Sequence, residues 1–369
     1  EGAELVHGLH EVRLGGPYLA ELPPGTLLQA TGQRGDALRM QLAPDTAAWV
    51  ATSAVAPAPA GTLPPRAAIT SLSVAGTAAG DDVLHIPLPA GVPYATQAVA
   101  DDRGAMQLQV DIFHAHHATT WITHRASARV VHEVTAEQGG PGRVRLRVRL
   151  RAPRLWGWRA QRTPQALRIM LRPAPVVADA SRPLAGLRVA LEPGHGGPTN
   201  LGAVGATGVP EKDINRWTAD VLQAELQAAG ASVLMVREGD DNPSPRERAR
   251  RVLDSDAQLF VSVHANATDT SGGFLRVAGT STFYKHTNAR DAAAAVQRRL
   301  LEQTGLDDFG LVGNFNYTPI RLVTSMPAIL VEQAFVSHPG DEARLLDPVF
   351  RALTARAVRL GLEDFLRAL

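Results

Sequence analysis

From about residue 185 to the end, short apolar runs alternate with longer amphipathic ones, and this alternation constrains the fold more than any other feature. "LRVALEP", "SVLMVRE", "QLFVSVHAN" and "PAILVEQAF" read as strands. "EKDINRWTADVLQAELQAAG", "ARDAAAAVQRRLLEQTG" and "DPVFRALTARAVRLGLEDFLRAL" read as helices. Strand and helix in turn predict an α/β domain with a largely parallel, twisted sheet flanked by helices. In the first helix Ile214, Trp217, Val221 and Ala224 fall on one predicted face, and Gly230 stands where a C′ glycine belongs. Ligands of such sheets gather at the carboxyl ends of the strands.

Two Pro/Ala-rich stretches, "APAPAGTLPPRA" (56–67) and "RPAPVVADASRPLAG" (172–186), read as linkers, because proline blocks ladder and helix hydrogen bonds and stiffens the chain. They predict a multidomain chain: residues 1–58, 67–175 and 185–369. The first two parts are rich in short strands and turns, so two small all-β modules are expected ahead of the α/β domain. "MQLQVDIFH" and "GRVRLRVRLRAP" alternate with the period of two of half-buried strands. The first part, with its Gly-Gly-Pro start, "PPGT" turn and closing "AAWV", resembles a bacterial SH3-like module.

The chain of 369 residues has room for two or three domains. Lys+Arg number 37 against 36 Asp+Glu, so no basic field points to nucleic acid. Cysteine is absent, so any metal must be held by His, Asp or Glu. No apolar run approaches the roughly 18 residues of a membrane span. The start, "EGAELVHGLH", lacks the basic and apolar regions of a signal peptide, as a mature or trimmed N-terminus would.

Four polar groups stand at or near the strand ends. His195 follows a strand in the glycine-rich "LEPGHGG", and Glu211 opens the next helix. His264 ends "LFVSVHAN", and Glu332 interrupts the apolar "PAILVEQAF". A carboxylate in an apolar run is expensive unless something compensates it. Two histidines and one carboxylate form a zinc set that keeps a coordination position open. A second carboxylate alongside can take a proton from a water and pass it on.

Residues 187–366 resemble the zinc-dependent N-acetylmuramoyl-L-alanine amidases of the Amidase_3 type. The resemblance is carried by "LEPGHGG", "GAVGATGVPEKD", "LFVSVHANA", "STFYKHTN" and "MPAILVEQAFVSHPGDEARLL", in that order. It implies one Zn2+ per chain held by His195, Glu211 and His264, with Glu332 as the catalytic carboxylate. It further implies peptidoglycan as substrate, cut between the lactyl group of N-acetylmuramic acid and L-alanine, in an extracytoplasmic setting, periplasm or cell wall. An activator protein is left open. The second part, closed by "ALRIMLRPAP", resembles the AMIN-type domains that precede such amidases and implies wall targeting. The chain departs from the family pattern at Glu192, where Asp is usual, and at Asn200-Leu201, where Asp-Pro is usual. The interval between His264 and Glu332 leaves no room for a long inhibitory plug.

Blander readings stand beside these. His195 reads as a surface turn histidine, His264 as a satisfied core histidine, Glu211 as a charge favoured at a helix N-terminus, and Glu332 as a solvated strand end. Asn266 and Arg321 are candidate substrate-binding residues, or an ordinary turn asparagine and a solvated strand arginine. His114, His116, His117 and His124 tempt as a metal site, but neighbouring strand positions face opposite ways and no carboxylate completes the set. Arg143, Arg145, Arg147 and Arg149 line one strand face that is either solvated or binds a wall polymer, with Trp156 and Trp158 as sugar-stacking candidates. The alternatives to an amidase are an inactive wall-binding adaptor and a zinc carboxypeptidase or deacylase acting on another amide.

Overall fold

The computed structural model describes residues 2–9, 15–269, 273 and 275–369. The chain divides into two compact units, Glu1–Pro173 and Ala174–Leu369. Among the described residues no helix is long and apolar enough to cross a membrane.

In the first unit, β1 (Ala3–Val6), β2 (Tyr18–Leu22), β3 (Gln29–Arg34), β4 (Ala37–Ala43) and β5 (Thr46–Ala51) form a sheet in the order β2-β1-β5-β4-β3. Leu5, Leu22, Met40, Leu42, Ala48 and Val50 make its core, and Ala95 and Phe113 from later strands complete it. Nine further strands follow: β6 (Ala67–Gly76), β7 (Asp82–Pro87), β8 (Tyr94–Ala100), β9 (Met106–Phe113), β10 (Ala115–His124), β11 (Val131–Gln138), β12 (Arg143–Leu150), β13 (Gly157–Arg162) and β14 (Ala166–Arg172). They build two sheets, β10-β6-β7-β14-β13 and β11-β12-β9-β8. One core joins them, with Ile69, Leu84 and Ile169 from the first sheet and Val110, Val144, Leu146 and Val148 from the second. The buried Asp82 carboxylate accepts from the backbone N–H groups of Arg129, Val130 and Val131 at 2.8–3.0 Å and so fixes the approach to β11.

One expectation for this unit is corrected. Trp156 and Trp158 are buried, at 2% and 1% exposure, and the Trp158 indole N–H donates to Thr96 Oγ1 at 3.0 Å. They fill the interior and are closed to sugars. The arginine row does share one strand face, but three of its members are closely charge-paired. Arg145 meets Asp111 at 2.8 Å, Arg147 meets Glu137 at 2.6 Å and Arg149 meets Glu133 at 3.2 Å. Register sets these pairs, since β12 places Arg145 opposite Asp111 on β9 and Arg149 opposite Glu133 on β11, while Arg147 reaches Glu137 diagonally. A polar cavity of about 860 Å³ opens there, lined among others by Gln107, Gln109, Thr135, Arg147, Arg149 and Arg151. Of the histidine group, His116 and His117 are exposed on β10, and His124 Nε2 accepts from Val134 N–H at 3.2 Å.

The second unit runs β15 (Arg188–Pro193), α1 (Glu211–Ala228), β16 (Ser232–Met235), α2 (Pro245–Leu253), β17 (Leu259–Asn266), β18 (Thr280–Tyr284), α3 (Arg290–Thr304), β19 (Asp308–Val312), α4 (Thr318–Leu322), β20 (Ala328–Phe335), α5 (Pro339–Leu346) and α6 (Pro348–Arg367). The sheet order is β16-β15-β17-β20-β18-β19. β16, β15, β17 and β20 are mutually parallel, while β18 runs antiparallel to β20 and carries β19 with it. Strand parity assigns the faces as far as His264 and Glu332, and one extra residue in β20 after Glu332 then turns Ala334 to the opposite face from Leu330. Phe260 and Leu330 pack with Ala249 and Val252 of α2 and Ile320 of α4. Ala265 and Ala334 point the other way, toward Ile214 of α1 and Leu345 of α5.

The predicted face of α1 is also corrected. The helix buries Glu211, Ile214, Asn215, Thr218, Ala219, Leu222 and Leu226, whereas Trp217 is 40% exposed. Polar Glu211 and Asn215 claim the inward stripe because they serve the strand ends, and this rotates the apolar reading of the helix. Trp217 lies instead under the Arg351 guanidinium, 5.1 Å from its ring centre. Gly230, at φ +93°, ends the helix as expected.

His286, just after β18, gives a pH prediction. Its Nε2 meets the Arg321 carbonyl at 2.7 Å, and burial first, then the charges of Lys285 and Arg321, pushes its pKa down to about 4. A depressed folded-state pKa means that stability is intact above about pH 6.5 and is lost as pH falls toward 4. Since its rim still meets water, we expect a loss of roughly 2 kcal/mol. Urea unfolding at pH 7 and pH 4.5 checks this: His286→Gln should shrink the difference between the two, and an unchanged difference would refute it.

Candidate metal centre

β15 delivers the chain into the Gly194–Gly197 turn, where His195 takes the left-handed conformation at φ +60°. Gly196 N–H closes the turn on the Asn200 carbonyl at 2.9 Å. Lys212, one of only two lysines in the chain, donates to the Gly197 carbonyl at 3.0 Å and to Asp240 at 2.8 Å, pinning the turn from outside. His195 Nδ1 lies 2.7 Å from Asn200 Oδ1, and His195 Nε2 lies 3.1 Å from Glu211 Oε2.

Glu211 is the first residue of α1 and is buried. Its Oε2 accepts from Ala203 N–H at 2.9 Å, and its Oε1 accepts from Asn215 Nδ2 at 3.1 Å and Ala265 N–H at 3.2 Å. His264 Nδ1 stands 3.0 Å from the same Oε1. Burial alone would raise the Glu211 pKa, but the hydrogen bonds and charge of His195 and His264 outweigh it and hold the carboxyl well below the usual range. For His195, burial works to lower the pKa, and the Glu211 hydrogen bond and charge, with Asn200, carry it above the ordinary value.

One donor atom each from His195, Glu211 and His264 lies within 4.8 Å of the others, the only such group among the described residues. Their chemistry fits a cation. An amide oxygen on His195 Nδ1 calls for a proton there, so in the neutral ring a bare Nε2 faces a bare carboxylate oxygen. Only a proton or a metal ion relieves that contact. His264 Nε2 is moreover buried with no hydrogen-bond partner.

Glu332 sits on β20 directly opposite His264 on β17, so the two side chains share one face of the sheet. It is 9% exposed, which replaces the solvated strand end of the blander reading with a buried position. Asn266 turns its Oδ1 onto the N–H of Ala267 at 2.9 Å. Arg321 lies in α4 at 3% exposure, with Nη1 3.2 Å from Asn316 Oδ1, so it is neither on a strand nor solvated.

Several supporting residues carry no signal of their own in the sequence. Gln333 Nε2 donates to the His264 carbonyl at 3.1 Å and to Asn215 Oδ1 at 3.2 Å, and Asn215 passes the orientation to Glu211. Glu342 accepts from Ala206 N–H at 3.2 Å and Thr207 N–H at 3.0 Å, tying down the loop that leads to Glu211. The one available hint is the i, i+4 spacing of Glu211 and Asn215.

Gly194 makes a direct prediction. A Cβ there would fall inside contact distance of three ring atoms of His264. Gly194→Ala should displace the ring and weaken divalent-cation binding at least about tenfold, measured with zinc by chelator competition. Native affinity in this variant would show that His264 has no part in holding the ion.

Two imidazoles and a carboxylate at the rim of an α/β sheet define a candidate metal centre. Residues 189–364, within the second unit, match the Amidase_3 family model, N-acetylmuramoyl-L-alanine amidase. N-acetylmuramoyl-L-alanine amidase LytC of Bacillus subtilis is 30% identical over 192 residues, 52% of this chain and 38% of LytC. The probable cell wall amidase LytH of Staphylococcus aureus is 31% identical over 198 residues, 52% of this chain and 64% of LytH. The chain thus spans less than two thirds of either relative. The solved catalytic domain of CwlV, an amidase from Bacillus (Paenibacillus) polymyxa var. colistinus, is 29% identical and covers 49% of this chain and 98% of its own, with a TM-score of 0.45.

Proposed function

We propose that the chain hydrolyses peptidoglycan at the amide between the lactyl group of N-acetylmuramic acid and L-alanine. The observation that carries this reading is the convergence of His195, Glu211 and His264, with Glu332 in register beside His264. The three residues would hold one zinc ion, which when bound supplies a Lewis acid that acidifies water and polarises a carbonyl. Asn200 and Asn215 orient His195 and Glu211 for that task. Glu332 takes a proton from the attacking water and delivers it to the leaving nitrogen of L-alanine.

The same reading makes the first unit a wall-targeting part, an SH3-like module followed by an AMIN-like domain. Its polar cavity beside Arg147 and Arg149 is a suitable place for a wall polymer. The substrate sets the location as extracytoplasmic.

The test is a digest of purified peptidoglycan by the full chain with added zinc, read by mass spectrometry. Free stem peptides beginning at L-alanine are expected. Cleavage within the stem would replace the amidase with a carboxypeptidase. Intact muropeptides with the protein bound to the wall would leave an adaptor.

A further inference from the structure

Beneath the metal centre lies a second buried cluster that the proposed reaction does not use. Glu192, at the end of β15, is fully buried, and its Oε1 accepts from Arg248 Nη1 at 2.7 Å and from the Tyr317 hydroxyl at 3.1 Å. Its Oε2 accepts from Ser262 Oγ, directly across on β17. Arg248, on α2, is 2% exposed. Besides Glu192 it donates to the carbonyls of Pro243 at 2.9 Å, Pro193 at 3.2 Å and His195 at 2.7 Å. One guanidinium therefore grips the backbone on both sides of Gly194 and holds the left-handed His195 peptide. Tyr317, just before α4, presents its ring edge-on to His264, with centres 5.3 Å apart at 81°.

The two histidines come from different strand ends, and this cluster touches both. A buried ion pair is weak support for stability, since apolar residues of similar volume often serve as well. Planar, multidentate grip is what arginine adds over lysine. We propose that Glu192, Arg248 and Tyr317 are positioning residues, one hydrogen-bonded network that sets His195 and His264 together and thereby the affinity of the centre for a divalent cation. The proposal rests on the metal reading given above.

The test is the zinc affinity of the metal-stripped full chain, by competition with a chromophoric chelator, beside the melting temperature and circular dichroism of the metal-free protein. Arg248→Lys keeps a buried cation but loses the fork, and is expected to weaken zinc roughly ten- to hundredfold. Tyr317→Phe removes one hydroxyl and keeps the ring, and is expected to weaken zinc roughly threefold or more. Should Arg248→Lys fail to fold, Tyr317→Phe decides alone. Zinc affinity within about twofold of native, whatever the melting temperature does, overturns the network and leaves the metal reading standing. A native chain that binds no zinc overturns both.

Discussion

Glu332→Gln is expected to lower peptidoglycan turnover by about a hundred- to ten-thousandfold. The amide keeps the size of the carboxylate and its place opposite His264, but it neither takes a proton nor returns one. Zinc affinity should stay within about threefold of native, because Glu332 lies outside the three-residue donor group. The measurement pairs release of stem peptides with chelator competition on the same preparation. Loss of zinc together with activity would make Glu332 a ligand, and retained activity would move the proton transfer to another group.

The second large effect belongs to Glu211→Gln. The carboxylate faces both His195 and His264 and accepts from Ala203, Asn215 and Ala265. The neutral amide has one oxygen, so it removes the charge that draws a cation and cannot accept on both sides. Zinc affinity should fall more than about a hundredfold, beyond what loss of a supporting residue costs. Elemental analysis after dialysis should then find close to no zinc in the variant and one ion in the native chain. Equal zinc in both would place the ion elsewhere.

The long elements of the second unit are legible in the sequence because their patterns are long. β15, β17 and β20 are apolar runs, and α1, α3 and α6 span 18, 15 and 20 residues. β18, β19, α2, α4 and α5 escape pattern reading, since each is short and held by tertiary partners. Thr282 of β18, for example, donates to Gln297 of α3 at 3.0 Å. The inward stripe of α1 misleads because polar residues occupy it. The four charged or imidazole residues of the site stand out by type and by motif, while Asn200, Asn215, Gln333 and Tyr317 are ordinary residues whose roles exist only once the chain is folded. Glu192 reads in the sequence as a departure from a family pattern, and its partners Arg248 and Tyr317 lie 56 and 125 positions away.

The first sheet borrows Ala95 and Phe113 to close its core. That loan makes residues 3–51 a poor candidate for excision. Cutting the chain in the Pro/Ala-rich stretch after residue 55 would bare an apolar floor on one fragment and unroof the other, so both pieces would tend to stick to other chains. Any excision or transfer of the first sheet therefore has to carry β8 and β9 with it.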